Sequence, residues 1–267
     1  MAITTLDGIV AGGKPPEYFA KAASGTLVAG RPFTPFYTAG TPGAAVAPTP
    51  GLAGAALTSY AGQIPVPTAS GNTHVSDFLG VSSAQGGMLL LCDRLWHNSG
   101  ITITQTTAHT VNSVTWPARD SLGATNGDDV LIGVEVSGAT GAGTPTLTVG
   151  YTNQAGTAGR TGTNTDATVA TSAAGTFYRI GLQAGDTGVR SVQTFTLSAT
   201  WTSGTIHLVA YRVVAAIPLI AAGLPAMIDS VSHANRRVYD NSVLFPIYIP
   251  QTTTTTLLTG MVGFTQG

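Results

Sequence analysis

Between residues 86 and 215 the chain breaks into seven or eight strand-length segments, mostly closed by glycine-containing turns, and no other feature narrows the fold as far. The run GGMLLLCDRLW, residues 86–96, reads as a buried strand that opens this body. In SGITITQTTAHTVNSVTW, Ile101, Ile103 and Gln105 alternate with Thr102 and Thr104, the period of two of a half-buried strand. DDVLIGVEVSG then sets Leu131, Gly133 and Glu135 against Val130, Ile132, Val134 and Val136. TPTLTVGYTN, TFYRIGLQAG, VRSVQTFTLSATW and GTIHLVAYRVVAA follow at similar spacing. In the first of these, Leu147, Val149 and Tyr151 take one face and Thr146, Thr148 and Thr152 the other, and a long turn runs on through Gly156, Gly159 and Gly162. Threonine is abundant because a β-branched polar side chain suits the exposed face of a sheet. The pattern predicts a mainly β fold with an antiparallel β-sandwich or jelly-roll body over residues 86–215.

The flanks have a different texture. Between Arg31 and Asp77 there is no acidic or basic residue, while seven prolines fall at positions 32, 35, 42, 48, 50, 65 and 67. Each removes a backbone donor and restricts its predecessor, which disfavours long helices and central strands. Yet the same stretch is too apolar for a solvated linker. Residues 1–85 are therefore expected to form an extended Pro/Gly/Ala-rich N-terminal arm that packs on its own body or on a neighbour. Its expected anchors are Phe33, Phe36, Tyr37, Tyr60 and Ile64. Residues 216–267 are expected to give a short helix around 223–235 and an extended return segment, VLFPIYIP, in which Pro246 and Pro250 suit an edge strand. The five threonines 252–256 fit a stiff strand or an exposed polar tract equally well.

Charge restricts the function classes. Only 9% of the residues are Asp, Glu, Lys or Arg, against roughly 25% in an ordinary soluble domain. The formal net charge of -1 argues against nucleic-acid and anionic-membrane partners and leaves little repulsion between copies of the chain. The most apolar stretch, residues 208–228, is interrupted by Arg212, Pro218 and Pro225, short of the roughly 20 uninterrupted apolar residues of a spanning helix. The N-terminus lacks the basic and apolar regions of a secretory signal.

Candidate chemistry is sparse. Cys92 lies in LLLCDRLW and reads as a buried, inert thiol. His74, His97, His109, His207 and His233 show no compact ligand spacing. Asp128, Asp129 and Asp186 sit in turns, where an aspartate caps its own backbone more often than it binds calcium. Glu17 and Glu135 are the only glutamates, with Glu135 within reach of pairing to Arg119 or Arg160. Trp116 and Trp201 are candidates for a glycan platform, or for core anchors beside strand ends. Arg160, isolated in an uncharged stretch, is a candidate for a salt bridge across a subunit boundary. No catalytic residue, metal or cofactor is expected.

The blocks MLLLCDRLWHNSGITITQTTAHTVNSVTWPARD, VLIGVEVSGATGAGTPTLTVGYTNQAGTAGRTG and FYRIGLQAGDTGVRSVQTFTLSATWTSGTIHLVAYRVVA resemble structural proteins from the virions of tailed bacteriophages. The resemblance covers about residues 86–215. It implies a non-enzymatic virion protein, made in the host bacterial cytoplasm, that binds the outer capsid surface as a decoration or cement subunit. The implied partners are the major capsid protein and copies of the chain itself, as a homotrimer, without nucleic acid or membrane. A tail, baseplate or collar protein is the second reading, and a secreted carbohydrate-binding or glycan-processing β-protein the third.

Overall fold

The computed structural model describes residues 5–23, 25–230 and 237–267. The chain is mainly β and antiparallel, as the sequence predicts. In chain order the strands are β1 (Gly13–Ala22), β2 (Gly40–Thr41), β3 (Ala55–Ala56), β4 (Thr73–Ser82), β5 (Gly87–His97), β6 (His109–Thr110), β7 (Leu131–Gly138) and β8 (Leu147–Asn153). They continue as β9 (Arg160–Asn164), β10 (Phe177–Gly181), β11 (Val189–Leu197), β12 (Thr205–Leu219), β13 (Ala226–Asp229), β14 (Arg237–Val238), β15 (Leu244–Pro250) and β16 (Leu257–Gln266). A short α-helix, α1 (Leu6–Ala11), is capped by Thr5, whose hydroxyl accepts the Gly8 N–H.

The chain divides into two compact units, residues 1–45, 59–93 and 213–267 in one and residues 46–58 and 94–212 in the other. The segment expected as an arm is thus shared between them. In the first unit, a sheet ordered β13-β4-β16-β1-β2, with β14 also on β4, supplies one layer. Strands β15 and β5 and the end of β12 supply the other. Phe19, Phe78, Val262 and Phe264 from the first layer share one core with Leu89, Leu91, Ile217 and Tyr248 from the second. A bulge in β4, where one extra residue, Ser76, stands between the partners of Gly263 and Phe264, resets the alternation so that both Val75 and Phe78 face that core.

Strand β15 lies at the end of its sheet order, as its prolines require. Its odd positions face β5, and its even positions face outward, where Leu244 and Tyr248 bridge to Ile64 and Phe33 and the Pro250 carbonyl accepts the Gly30 N–H. Both prolines occupy even positions, so neither removes a donor from the ladder with β5.

The second unit contains strands ordered β12-β7-β10-β9-β8-β11-β6. Ile132, Val134 and Val136 of β7 meet Leu147 and Val149 of β8 and Val192 and Phe195 of β11 in one core. Strands distant in the order converge there, so the sheet curls round its own interior. Segment 46–58 is tied to this unit: Trp96 Nε1 donates to the Ala53 carbonyl (3.0 Å), Asn98 Nδ2 to Leu52 (3.2 Å) and Arg119 Nη1 to Leu57 (2.7 Å).

Three local expectations are corrected. Ile101 and Ile103 are buried and Thr102 and Thr104 exposed, as their alternation predicts, but the backbone is a loop. The Thr102 N–H is donated to His109 Nε2 at 3.0 Å instead of to a ladder. The long turn expected through Gly162 is half strand, because β9 pairs with both β8 and β10. Of the short helix expected at 223–235, residues Ala226–Asp229 are strand β13 on the edge of β4, and residues 231–236 lie outside the described residues. The threonine run 252–256 is irregular and accepts backbone donors: the Leu27 N–H on Thr254 and the Ala23 N–H on Thr256.

A close approach at Gly133 gives a direct check on the packing of the other face of β7, opposite the second core. A Cβ there would stand inside the Phe177 ring, which packs edge-on to Tyr211 at 5.3 Å. Gly133→Val is expected to lower stability by about 1–3 kcal/mol through overpacking, read as an earlier urea midpoint with an unchanged slope.

Candidate functional site

The densest gathering of polar chemistry lies on the second face of β7 and β12. Arg94 Nη2 and Glu135 Oε2 form a fully buried ion pair at 2.7 Å. Glu135 stands directly across from His207 in the β7–β12 register. His207 in turn is hydrogen-bonded at both nitrogens, Nε2 to Ser137 Oγ at 2.7 Å and Nδ1 to the Asn98 carbonyl at 2.9 Å. A carbonyl only accepts, so Nδ1 carries the proton and Nε2 accepts from the serine hydroxyl.

That arrangement has the outline of a serine activated by a histidine base. It lacks a carboxylate behind the base, because the orienting group is an amide carbonyl, which stabilises an imidazolium poorly. Burial, then the Arg94 charge, pull the His207 pKa below its ordinary value of 6.5, with Glu135 opposing them. His97 is pushed down to about 2 by burial, Arg94 and His207. The imidazole of His207 is 1% exposed, and the network reads as structural reinforcement.

Other ionisable groups are likewise engaged in holding backbone. Asp120 accepts four N–H groups, from Leu122, Ala124, Gly127 and Asp128, and so folds the turn that precedes β7. Arg119 donates to the Leu57 and Arg94 carbonyls. Asp93 accepts from the Ser242 hydroxyl (2.7 Å) and the Val243 N–H (3.0 Å). Lys21, 1% exposed, donates to the Thr38 and Gly43 carbonyls, and burial lowers its pKa to about 8. A surface cavity of about 420 Å³ is lined by Asn72, Tyr239, Asp240 and Asn241, with the Arg237 guanidinium 4.6 Å above the Tyr239 ring.

The residues singled out in the sequence are placed as follows. Phe33 and Ile64 belong to the core of the first unit. Phe36 is buried among Tyr37, Tyr60 and Phe245, at ring separations of 5.8, 6.1 and 5.5 Å, while Tyr37 and Tyr60 stay partly exposed. Arg160 forms a two-pronged pair with Asp186 of the same chain, Nε to Oδ2 at 2.9 Å and Nη2 to Oδ1 at 3.0 Å. That carboxylate also accepts from Tyr151 and Asn153; the Arg160 contact, aided by theirs, holds the Asp186 pKa down to about 2. The partner of Glu135 is Arg94, in place of the expected Arg119 or Arg160. Trp116 and Trp201 are buried in the second core, which removes them as a glycan platform. Cys92 is a buried thiol. His233 lies outside the described residues. Among the described residues no three His, Cys, Asp or Glu side chains gather to hold a metal, and no helix is long and apolar enough to cross a membrane.

Sequence reasoning missed the Arg94–Glu135–His207 network. A signal was present: Arg94 and Glu135 are opposite charges inside two strands that otherwise read as buried, and two such charges need each other.

No family model matches the chain, and no curated protein matches it. Among solved structures it is similar to that of infectious bursal disease virus Gx strain, at 11% identity and a TM-score of 0.21 over 94% of this chain and 81% of that one. A second is the VP2 subviral particle of the same virus, at 9% identity and a TM-score of 0.20 over 96% of this chain and 81% of that one. At such scores the backbones do not superpose as one fold, and the likeness carries no argument. These structures come from infectious bursal disease virus and not from a tailed bacteriophage, and no phage virion family matches. The expected tailed-bacteriophage resemblance is corrected accordingly.

Two outcomes test the polar network. Glu135→Ala leaves the Arg94 charge buried without its carboxylate and is expected to cost about 3–5 kcal/mol, whereas the double variant Arg94→Met with Glu135→Leu recovers most of that in the same denaturation assay. The second concerns pH. His97 and His207 have folded pKa values below 6.5, so the folded chain binds fewer protons than the unfolded one. Their contribution to stability is whole well above 6.5 and declines as the pH falls through that value toward their folded pKa. Denaturation midpoints are expected to be lower at pH about 5 than at about 8, a range in which Asp186 stays ionised.

Proposed function

We propose that the chain is a non-enzymatic structural subunit of a virus particle, carried on the outer surface of the shell as a decoration subunit that touches shell protein and copies of itself. The observation that carries this reading is where the charges are spent. Arg94, Glu135, Arg119, Asp120, Arg160, Asp186 and Lys21 are each committed to internal pairs or backbone groups. What remains is a nearly neutral surface of threonine, glycine and small apolar residues, suited to packing against other protein.

A subunit of this kind acts by mass action. Bound only to the assembled shell, it shifts the equilibrium away from released subunits in proportion to its affinity and copy number. Each β core presents an ordered surface for that contact, so little conformational entropy is lost on docking.

Antibody labelling of purified particles from the virus that encodes the chain tests the proposal. Label spread over the shell is the expected result. Label confined to one vertex or appendage would replace decoration by a tail or collar role, and particles free of the chain would overturn the structural reading altogether.

A further inference from the structure

The outward face of the β13-β4-β16-β1 sheet carries a feature that the fold itself does not use. Register aligns Tyr18 with Met261, Met261 with Leu79, and Leu79 with Met227, one residue from each of four neighbouring strands. Their chain neighbours Phe19, Val262, Phe78 and Ile228 pack on the core, so alternation turns these four side chains away from it. Tyr18 is 62% exposed and Met227 59%. The row on one side, Ala20, Thr259 and Val81, is free of charge, and the row on the other carries Asp77 and Asp229.

The result is an apolar band about 14 Å across, at roughly 4.8 Å per strand. Scattered apolar residues on a surface need no explanation, but four in register across a sheet mark a contact. Among the described residues no cation lies within the band, which disfavours phosphate-bearing partners, whether nucleic acid or lipid.

We propose that this face is where two copies of the chain meet, as a two-fold pair of sheets stacked face to face. The inference rests on the self-association contained in the proposed function. Self-complementarity argues for a second copy. With the two-fold axis along the strands between β4 and β16, Tyr18 of each copy lies over Met227 of the other, and Met261 over Leu79. Each pair then makes two sulfur–aromatic contacts, a favourable geometry for a thioether against a ring. A net charge of -1 gives the two copies little long-range repulsion, and the Asp77 and Asp229 carboxylates of each copy lie at one end of the pair. With exposed Leu257 at its edge, the band offers on the order of 400–500 Å² per copy, so the pair buries about 800–1,000 Å², the scale of a weak, reversible interface.

Sedimentation of the full chain over a wide concentration range tests the pairing. The wild type is expected to move from monomer to dimer. Tyr18→Glu and Met227→Lys, both at exposed positions and each checked for an unchanged thermal midpoint, are expected to weaken association at least about tenfold. Leu122→Lys, 76% exposed in a loop of the other unit, is the control and leaves it unchanged. Mixing the Tyr18→Glu chain with the Met227→Lys chain is expected to restore dimers, because in the mixed pair the new acid faces the new base and Met227 still faces Tyr18. A wild type that stays monomeric throughout, single variants that dimerise as the wild type does, or a mixture that does not recover would each overturn the proposed pairing. Particle labelling separates this from the broader reading: variants that associate unchanged while the chain is found on particles remove the face alone. A dimer that is lost in the variants, from a chain absent from particles, removes the virion role alone.

Discussion

Strand β16 is the element on which the first unit depends. It is paired along its length on both sides, with β4 through nine residues and with β1 through eight. Leu258, Val262 and Phe264 from it enter the core, and the Gln266 amide donates to the Thr68 carbonyl and Thr73 hydroxyl while its oxygen accepts from Ser70. Every one of those pairings joins residues far apart in the chain. The loop-closure entropy must be met before any of the ladder bonds form, so this sheet assembles as a whole or not at all. It also explains why residues 13–22 form a strand despite Pro15 and Pro16: the bulge between Lys14 and Glu17 takes the prolines out of register, and β16 supplies the remaining partners.

The second unit is organised by the opposite device. Its charged residues are few, and those that enter the interior do so in complementary sets: Arg94 with Glu135, Asp120 with four backbone donors, Arg119 with two carbonyls. Buried charges of this kind give up hydration and recover it only in one geometry, so they contribute more to a unique arrangement than to net stability. The Ser137–His207 hydrogen bond belongs to the same economy. Its resemblance to a catalytic pair follows from what a buried histidine needs, a donor and an acceptor at fixed places, and requires no reaction.

The expected anchors of the N-terminal segment take the first of its two alternatives, packing on the chain's own body. Phe33, Phe36 and Ile64 are as apolar as the sequence says, and they are buried as that predicts. They cover the outward edge of β15 and the rings around Phe245 within their own unit. The surface most suited to a neighbour is made instead by Tyr18, Leu79, Met227 and Met261, from four segments whose juxtaposition exists only once the sheet has formed.

Alternation, turn glycines and proline positions are properties of the local backbone, and they were legible in the chain. They determined the antiparallel β class, the inward faces of β7 and β8 and the edge position of β15. Partners were not legible, because an ion pair or an aligned row joins residues by position in space. Whether Glu135 would meet Arg94 or Arg119, whether Arg160 would turn to Asp186, and whether ITIT would be ladder or loop were decided by the tertiary structure. There the competition for each buried donor and acceptor is settled among residues tens to hundreds of positions apart.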